Sequence, residues 1–173
     1  MELDQVIRRR KMIRAYKDRK VPDSIIDKLI SNALKAPSAG HTQVQEFVIV
    51  RDPGTKYRLR LVSVDQEQVE NAPVLIVVCA NTSRSVQRYA QRGRNFYSVI
   101  DGAFSSMLIL LTATNEGVGA GFVGAFEDDK VSEILGLPEY VRPIGMIAIG
   151  YPNEEPEKLK RIQRSHLVHH EKW

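Results

Sequence analysis

The sequence predicts an α+β fold built on a mixed sheet, and three observations carry the prediction. Two apolar runs, "EFVIV" at 46–50 and "NAPVLIVVCAN" at 71–81, have strand length and β-branched composition. Two others, "DSIIDKLISNAL" at 23–34 and "NFYSVIDGAFSSMLILLTATNEG" at 95–117, have helical length. Some connections between such runs are too short to hold the crossover helix that a purely parallel sheet requires.

In chain order, a short helix is expected over 3–10. The next covers 23–36, with Ile25, Ile26, Leu29, Ile30, Ala33 and Leu34 on one apolar stripe. Pro37 ends it by biasing Ala36 away from helical geometry. A strand follows at 45–50, and "DPGTKYRLRLV" reads as a turn leading into a helix. The second strand is buried on both faces, with Pro73 at its start, where a missing donor does no harm. Residues 81–94 are polar and basic and read as a surface loop or an irregular helix. The helix of 96–117 is apolar nearly all round, as a helix buried at the centre of a fold or an interface is. Its Gly102, Ala103, Ser105 and Ser106 would let another element approach closely. "EDDKVSEILG" is a helix stopped by Gly136, and "RPIGMIAIGY" is a strand. From Pro152 onward the core pattern is lost, so residues 1–173 read as one domain with 152–173 as a C-terminal arm.

A chain of 173 residues suits a single domain, one that buries roughly 70% of its unfolded surface. Cys79 is the only cysteine and lies in an apolar run, so it reads as a small buried hydrophobe. No apolar h-region follows the charged N-terminus. No apolar run approaches the roughly 20 residues of a membrane span, so a soluble, cytoplasmic protein without membrane partners is expected. The formal charge of +4 is unevenly placed. Arg8, Arg9, Arg10, Lys11, Arg14, Lys17, Arg19 and Lys20 surround a single Asp18, and Lys158, Lys160, Arg161 and Arg164 form a second basic group. Either group can attract an anion: nucleic acid, a membrane surface or a phosphorylated cofactor.

The stretch "PSAGHTQ" at 37–43 crowds Ser38, His41, Thr42 and Gln43 into a connection that an ordinary turn would make with a Gly and an Asn. "GAGFVG" at 119–124 matches G-x-G-x-x-G, but a long helix precedes it where a dinucleotide fingerprint needs a strand. A tight connection in which glycine permits close packing suits it better, with close backbone approach to a flat ligand as a further reading. "HLVHH" holds His166, His169 and His170 without a Cys or a placed carboxylate, so it reads as tail and no metal is expected. Asp101, inside the long apolar helix, is expected to cap or to pair with a basic group. The basic run lacks the interleaved aromatics that nucleic-acid binding would want, Tyr16 alone not supplying them.

Taken in order, these pieces resemble the nitroreductase family of FMN enzymes. "RKMIRAY" at 10–16 is similar to the family's R-R-S-[IV]-R-x-[FY]. "VPDSIIDKLISNALKAPSAGHTQVQEFVIV" follows its V-P-x-x-x-[IL] and A-x-x-A-P-S-x-x-N-x-Q-P-W segments. "NAPVLIVVCAN", "DGAFSSMLILLTATNEGVGAGFVGAF", "VSEILGLPEYVRPIGMIAIGYP" and "RIQRSHLVHHEKW" fall where the family's equivalents fall, so the resemblance spans the chain. It implies a mixed, mainly antiparallel sheet flanked by helices, in an intertwined homodimer with one FMN at each of two interface sites. The apolar helix would then pack on its counterpart, and the arm would wrap the partner.

By this resemblance Arg10 and Arg161 bind the FMN phosphate, where two guanidinium forks suit a dianion. Arg14 places a cation near the N1/C2-carbonyl edge of the flavin, where it stabilises the reduced ring. Ser38, His41 and Gln43 line the ribityl chain and ring edge, and Gly124 and Ala125 turn backbone N–H groups to the flavin. Lys11, Met12, Pro37 and Ala39 complete the implied cofactor-binding set. Three positions depart from the pattern: Met12 replaces a Ser, His41 replaces an Asn, and Val44-Gln45 replaces Pro-Trp. The implied activity is hydride transfer from NADH or NADPH, through the flavin, to a flat acceptor such as a nitroaromatic or quinone. No catalytic side chain is expected, the flavin carrying the chemistry. Flavin reduction, dehydrogenation of a specialised metabolite, FMN binding without turnover, and a nucleic-acid module are the alternatives. The loop of 81–95 would decide which acceptor fits.

Overall fold

All eight residues of β2 (Val74–Asn81) are buried, and the sheet is organised around it. β1 (Gln45–Val50) and β4 (Val141–Gly150) flank it, and β3 (Gly119–Val123) lies beyond β4, giving the order β1-β2-β4-β3. All three pairings are antiparallel. Among the described residues the parallel contribution is a single bridge from Met12 to Ala120, on the free edge of β3. The structure, a computed structural model, describes residues 1–156 and 159–173. Lys158 of the C-terminal basic group lies outside the described residues.

Period-two alternation sorts the strand side chains into two cores. Val74, Ile76, Val78, Ile147 and Ile149 face α2 (Asp23–Ala33) and α6 (Ser98–Asn115). Leu75, Val77, Cys79, Met146 and Ala148 face α3 (Pro53–Leu61), α4 (Glu67–Asn71) and α7 (Asp128–Leu135). Burial pushes the Cys79 thiol up to about 12, with Glu46 adding to the effect, so it is the inert apolar filler expected.

The local signals act as read at α3, where Asp52 accepts from the Thr55 N–H at 2.7 Å and Pro53 opens the helix. Gly136, at φ +63°, ends α7 in the left-handed conformation. α2 stops at Ala33, three residues before the expected end, because the chain already turns through Lys35 N–H to Asn32 O and Ala36 N–H to Ala33 O. Leu34 therefore leaves the stripe and is exposed, while Ile26, Leu29 and Ala33 stay buried.

Two regions differ from expectation. "GAGFVG" supplies an edge strand instead of a tight connection. Its glycines do serve close packing: a Cβ on Gly119 would lie 2.9 Å from the Ile13 side chain, and one on Gly121 would overlap the Ile13 carbonyl oxygen. Residues 81–94 are mostly α5 (Thr82–Arg92), broken at Ala90 (φ +46°) and joined to α6 by a π-helical turn, Gly93–Tyr97. Taken as one helical run, 82–115 is long and apolar enough to cross a membrane by length and composition, against the expectation drawn from uninterrupted apolar runs. Half of its most apolar window is buried within the chain, as in a core helix. Gly102 sits against Ile144, where a Cβ would come within 2.9 Å, so the expected close approach occurs there.

Candidate functional site

The site residues fall into two groups at opposite ends of α6. The first begins at Arg10, which caps α1 (Leu3–Arg9) at its C-terminus through its N–H to Val6 O. The chain then runs beside β3, with the Ile13 N–H donating to Ala120 O at 3.0 Å and Met12 bridging Ala120. The Tyr16 hydroxyl lies 2.5 Å from Ile13 O and 3.0 Å from Ala148 O, and burial pushes this phenol well above its ordinary range, so it stays a neutral donor. Glu154 accepts from the backbone N–H groups of Arg14 and Ala15. Lys11 donates to Pro156 O at 2.9 Å. The Arg14 side chain is exposed and has no carboxylate partner among the described residues. Arg10 is half-buried, and its Nη1 is buried without any hydrogen-bond partner among the described residues.

The second group is the loop 37–43, which enters β1. Gly40, His41 and Gln43 all take left-handed backbone, at φ +55°, +58° and +49°. Ser38 Oγ accepts from the Gln43 N–H at 2.9 Å, and Asp101 Oδ1 accepts from the Ala39 N–H at 3.0 Å. Asp101 thus caps the loop's 3₁₀ turn, the first of its two expected roles, and meets no basic group among the described residues. Burial raises its carboxyl above the ordinary range, the Ala39 bond working against that. α5 grips the loop from outside: Arg84 donates to Gln43 O at 2.7 Å and Arg88 to Gly40 O at 3.0 Å. Pro37, His41 and Gln43 are exposed, and Ser38 and Ala39 half-buried.

Gly124 and Ala125, just past β3, are exposed, and Arg161 is exposed in the 159–173 segment. The register puts Gly124 toward the same end of the sheet as the start of β1: β3 runs past its Val123–Met146 pair toward the start of β4, where Arg142 pairs with Ala80, itself the partner of Gln45. The supports that sequence reasoning missed are Glu154, Arg84 and Arg88. The i, i+4 spacing of Arg84, Arg88 and Arg92 was the available signal for the last two.

One chain does not bring the two groups together. Between the Met12 segment and β1 lie four strand spacings, roughly 19 Å. Along α6, Asp101 under the loop and Asn115 beside α1 are fourteen residues apart, about 21 Å. A cavity of about 490 Å³ opens at the far end of the first group, lined by Tyr16, Lys17, Arg19, Lys20, Arg51 and Lys56 among others. On its outer side α6 leaves Phe104 and Met107 46% and 48% exposed, near the middle of the helix.

The Nitroreductase family model matches residues 7–70 and 61–151. A protein of Methanothermobacter thermautotrophicus, provisionally assigned as an NADH dehydrogenase/NAD(P)H nitroreductase, is 33% identical over 177 residues, spanning 100% of this chain and 88% of its own. The FMN reductase (NADPH) of Bacillus subtilis is 26% identical, over 95% of this chain and 72% of its own. A crystal structure from Parabacteroides distasonis, carrying the same provisional assignment as the first relative, superposes with a TM-score of 0.88 at 29% identity, covering 100% of this chain and 99% of that one. With sequence order, sheet topology and these matches in agreement, the chain belongs to the nitroreductase family.

Proposed function

We propose that two copies of this chain form a homodimer that binds one FMN at each of two interface sites and carries hydride equivalents from NADH or NADPH to a flat acceptor such as a quinone or nitroaromatic. The buried Nη1 of Arg10, without a partner among the described residues, carries the cofactor reading. A buried guanidinium N–H with no acceptor is costly, and a phosphate oxygen is the acceptor whose charge and geometry suit it. Arg161 is a second donor for the same phosphate. FMN bound there supplies reversible two-electron chemistry. The chain's own residues then have defined duties. Arg14 holds an unspent cation near the ring, Ser38, His41 and Gln43 offer hydrogen bonds along the ribityl chain and ring edge, and Gly124 and Ala125 present backbone without bulk. Lys11, Met12, Pro37 and Ala39 shape the walls.

The separation of the two walls supports the dimer. Two α6 helices packed antiparallel about a two-fold axis near Phe104 and Met107 would set the Ser38 loop of one copy beside the Arg10 segment of the other, twice. Such packing would also cover exposed apolar side chains. The exposed 159–173 segment, with Leu159, Ile162, Leu167 and Trp173, would gain a partner surface to cross.

The test is the visible spectrum of the purified protein with anaerobic addition of NADH or NADPH. Flavin that bleaches and recovers with a quinone supports the oxidoreductase reading, while flavin that neither donor reduces sinks it in favour of FMN binding without turnover. Arg10→Ala is expected to weaken FMN binding by roughly ten- to a hundredfold, through loss of a charge-assisted contact, with sedimentation still reporting a dimer. Undiminished FMN binding in that variant would remove the phosphate assignment.

A further inference from the structure

Residues 82–97 carry Arg84, Arg88, Arg92 and Arg94 and no acidic residue. Arg84 is neutralised by Glu46 at 2.6 Å. Arg94 borders a small cavity that also holds Asp128, Asp129 and Glu139. Arg88 and Arg92 are exposed and have no carboxylate partner among the described residues.

Both are held in place by neutral groups. Arg88 spends one nitrogen on Gly40 O and lies 5.6 Å from the Tyr89 ring centre. Arg92 spends Nε on the Tyr97 hydroxyl at 3.2 Å, keeps both terminal nitrogens free of side-chain partners among the described residues, and lies 4.6 Å from the Phe96 ring centre. Tyr89 and Tyr97 meet edge to face at 4.9 Å, and Phe96 leans on Tyr97 while staying 46% exposed. The cluster forms because α5 reverses at Ala90, in left-handed φ, and Gly93 then packs on Ser85, where a Cβ would lie 2.6 Å from the Ser85 carbonyl. A strained backbone of this kind persists where its surroundings over-determine it. The result is two pre-oriented guanidinium groups beside an open aromatic ring, touching the loop of the flavin wall through Gly40.

We infer that Arg88 and Arg92 bind the 2′-phosphate of NADPH, that Phe96 stacks on its adenine, and that the protein therefore selects NADPH over NADH. This rests on the reading above that a nicotinamide dinucleotide is the electron donor; the relatives' names include both donors and do not decide between them. The 2′-phosphate is the one group that distinguishes the two donors. A dianion beside uncompensated guanidinium groups gains charge-assisted hydrogen bonds that a ribose hydroxyl does not. Aromatic contacts already restrict these side chains, so less freedom is lost on binding.

The experiment compares donors on the FMN-loaded protein and on its Arg92→Ala and Arg94→Ala variants, with 2′,5′-ADP and 5′-AMP titrated calorimetrically in parallel. The native protein should favour NADPH in kcat/KM by about tenfold or more. Arg92→Ala should erase that preference by raising KM for NADPH far more than KM for NADH, and lose the preference for 2′,5′-ADP over 5′-AMP. Arg94→Ala should change neither. Equal use of both donors, or an Arg92→Ala variant that loses both alike, overturns the inference. If neither donor reduces the flavin, the donor reading falls, and the titrations still decide the patch. A 2′,5′-ADP preference that vanishes in Arg92→Ala upholds it, and no preference overturns it.

Discussion

The two walls of the proposed site are fixed by different means. The Arg10–Tyr16 segment is held through its backbone: Ile13 bonds to β3, Lys17 N–H to Tyr151 O, and Glu154 takes the N–H groups of Arg14 and Ala15. The Ser38–Gln43 loop is held by side chains reaching in from elsewhere, namely Ser38, Asp101, Arg84 and Arg88, around a backbone with three left-handed residues. A wall fixed by backbone tolerates changes of side chain, so Met12 can stand where the family pattern has Ser. A wall fixed by left-handed φ does not. His41 for Asn is a permitted exchange there, because both are among the few non-glycine residues enriched at positive φ.

The largest effect should come from closing the space that lets the first wall lie on the sheet. Gly121→Val puts a side chain into the Ile13 carbonyl and within 2.6 Å of Gln68 Oε1. Overpacking against backbone should cost about 3 kcal/mol, lower the urea midpoint and release FMN with the displaced Arg10 segment. An unchanged midpoint would mean that the segment does not lie along β3.

Next comes Gly40→Ala in the second wall. At φ +55° an added Cβ overlaps the Tyr89 hydroxyl and lies 2.8 Å from Arg88 Nη1. The strain should amount to about 1–2 kcal/mol. Because the loop is peripheral to both cores, the loss should appear as weaker FMN binding more than as a lower midpoint. A variant that loses global stability while keeping its flavin affinity would reverse the contrast between the walls.

This contrast also explains what could be read from the sequence. Strands β1, β2 and β4 were legible as short apolar runs, α2 by its apolar stripe and α6 by its length and apolar content, and the α3 and α7 ends because Asp52, Pro53 and Gly136 act locally. β3 was not legible as a strand. Its glycine-rich composition suits a turn in isolation, and only the passage of Ile13 over Gly119 and Gly121 makes it a strand edge. At the site, the resemblance named residues on both walls but not the distance between them, which the strand order sets. Glu154, Arg84 and Arg88 escaped notice because their contacts are with backbone groups 41 or more residues away in sequence.

The smallest effect is a change of slope, and it isolates the one buried charge beneath the loop. Asp101 is nearly fully buried, its Oδ1 takes the Ala39 N–H, and its Oδ2 has no partner among the described residues. Burial raises the carboxyl above its unfolded value, so the folded chain holds this proton more tightly than the unfolded chain does. The resulting stabilisation is complete below the ordinary carboxylate range and is lost as pH rises through the raised value. Asp101→Asn keeps an acceptor for Ala39 and has no proton to lose. Urea midpoints taken from about pH 4 to about pH 8, a window spanning the ordinary carboxylate range and above, should fall more steeply for the native chain than for the variant. The gap between the two should widen as pH rises. Parallel curves would mean that Asp101 is paired in solution, and the group to seek would be a cation contributed by the second copy across the interface.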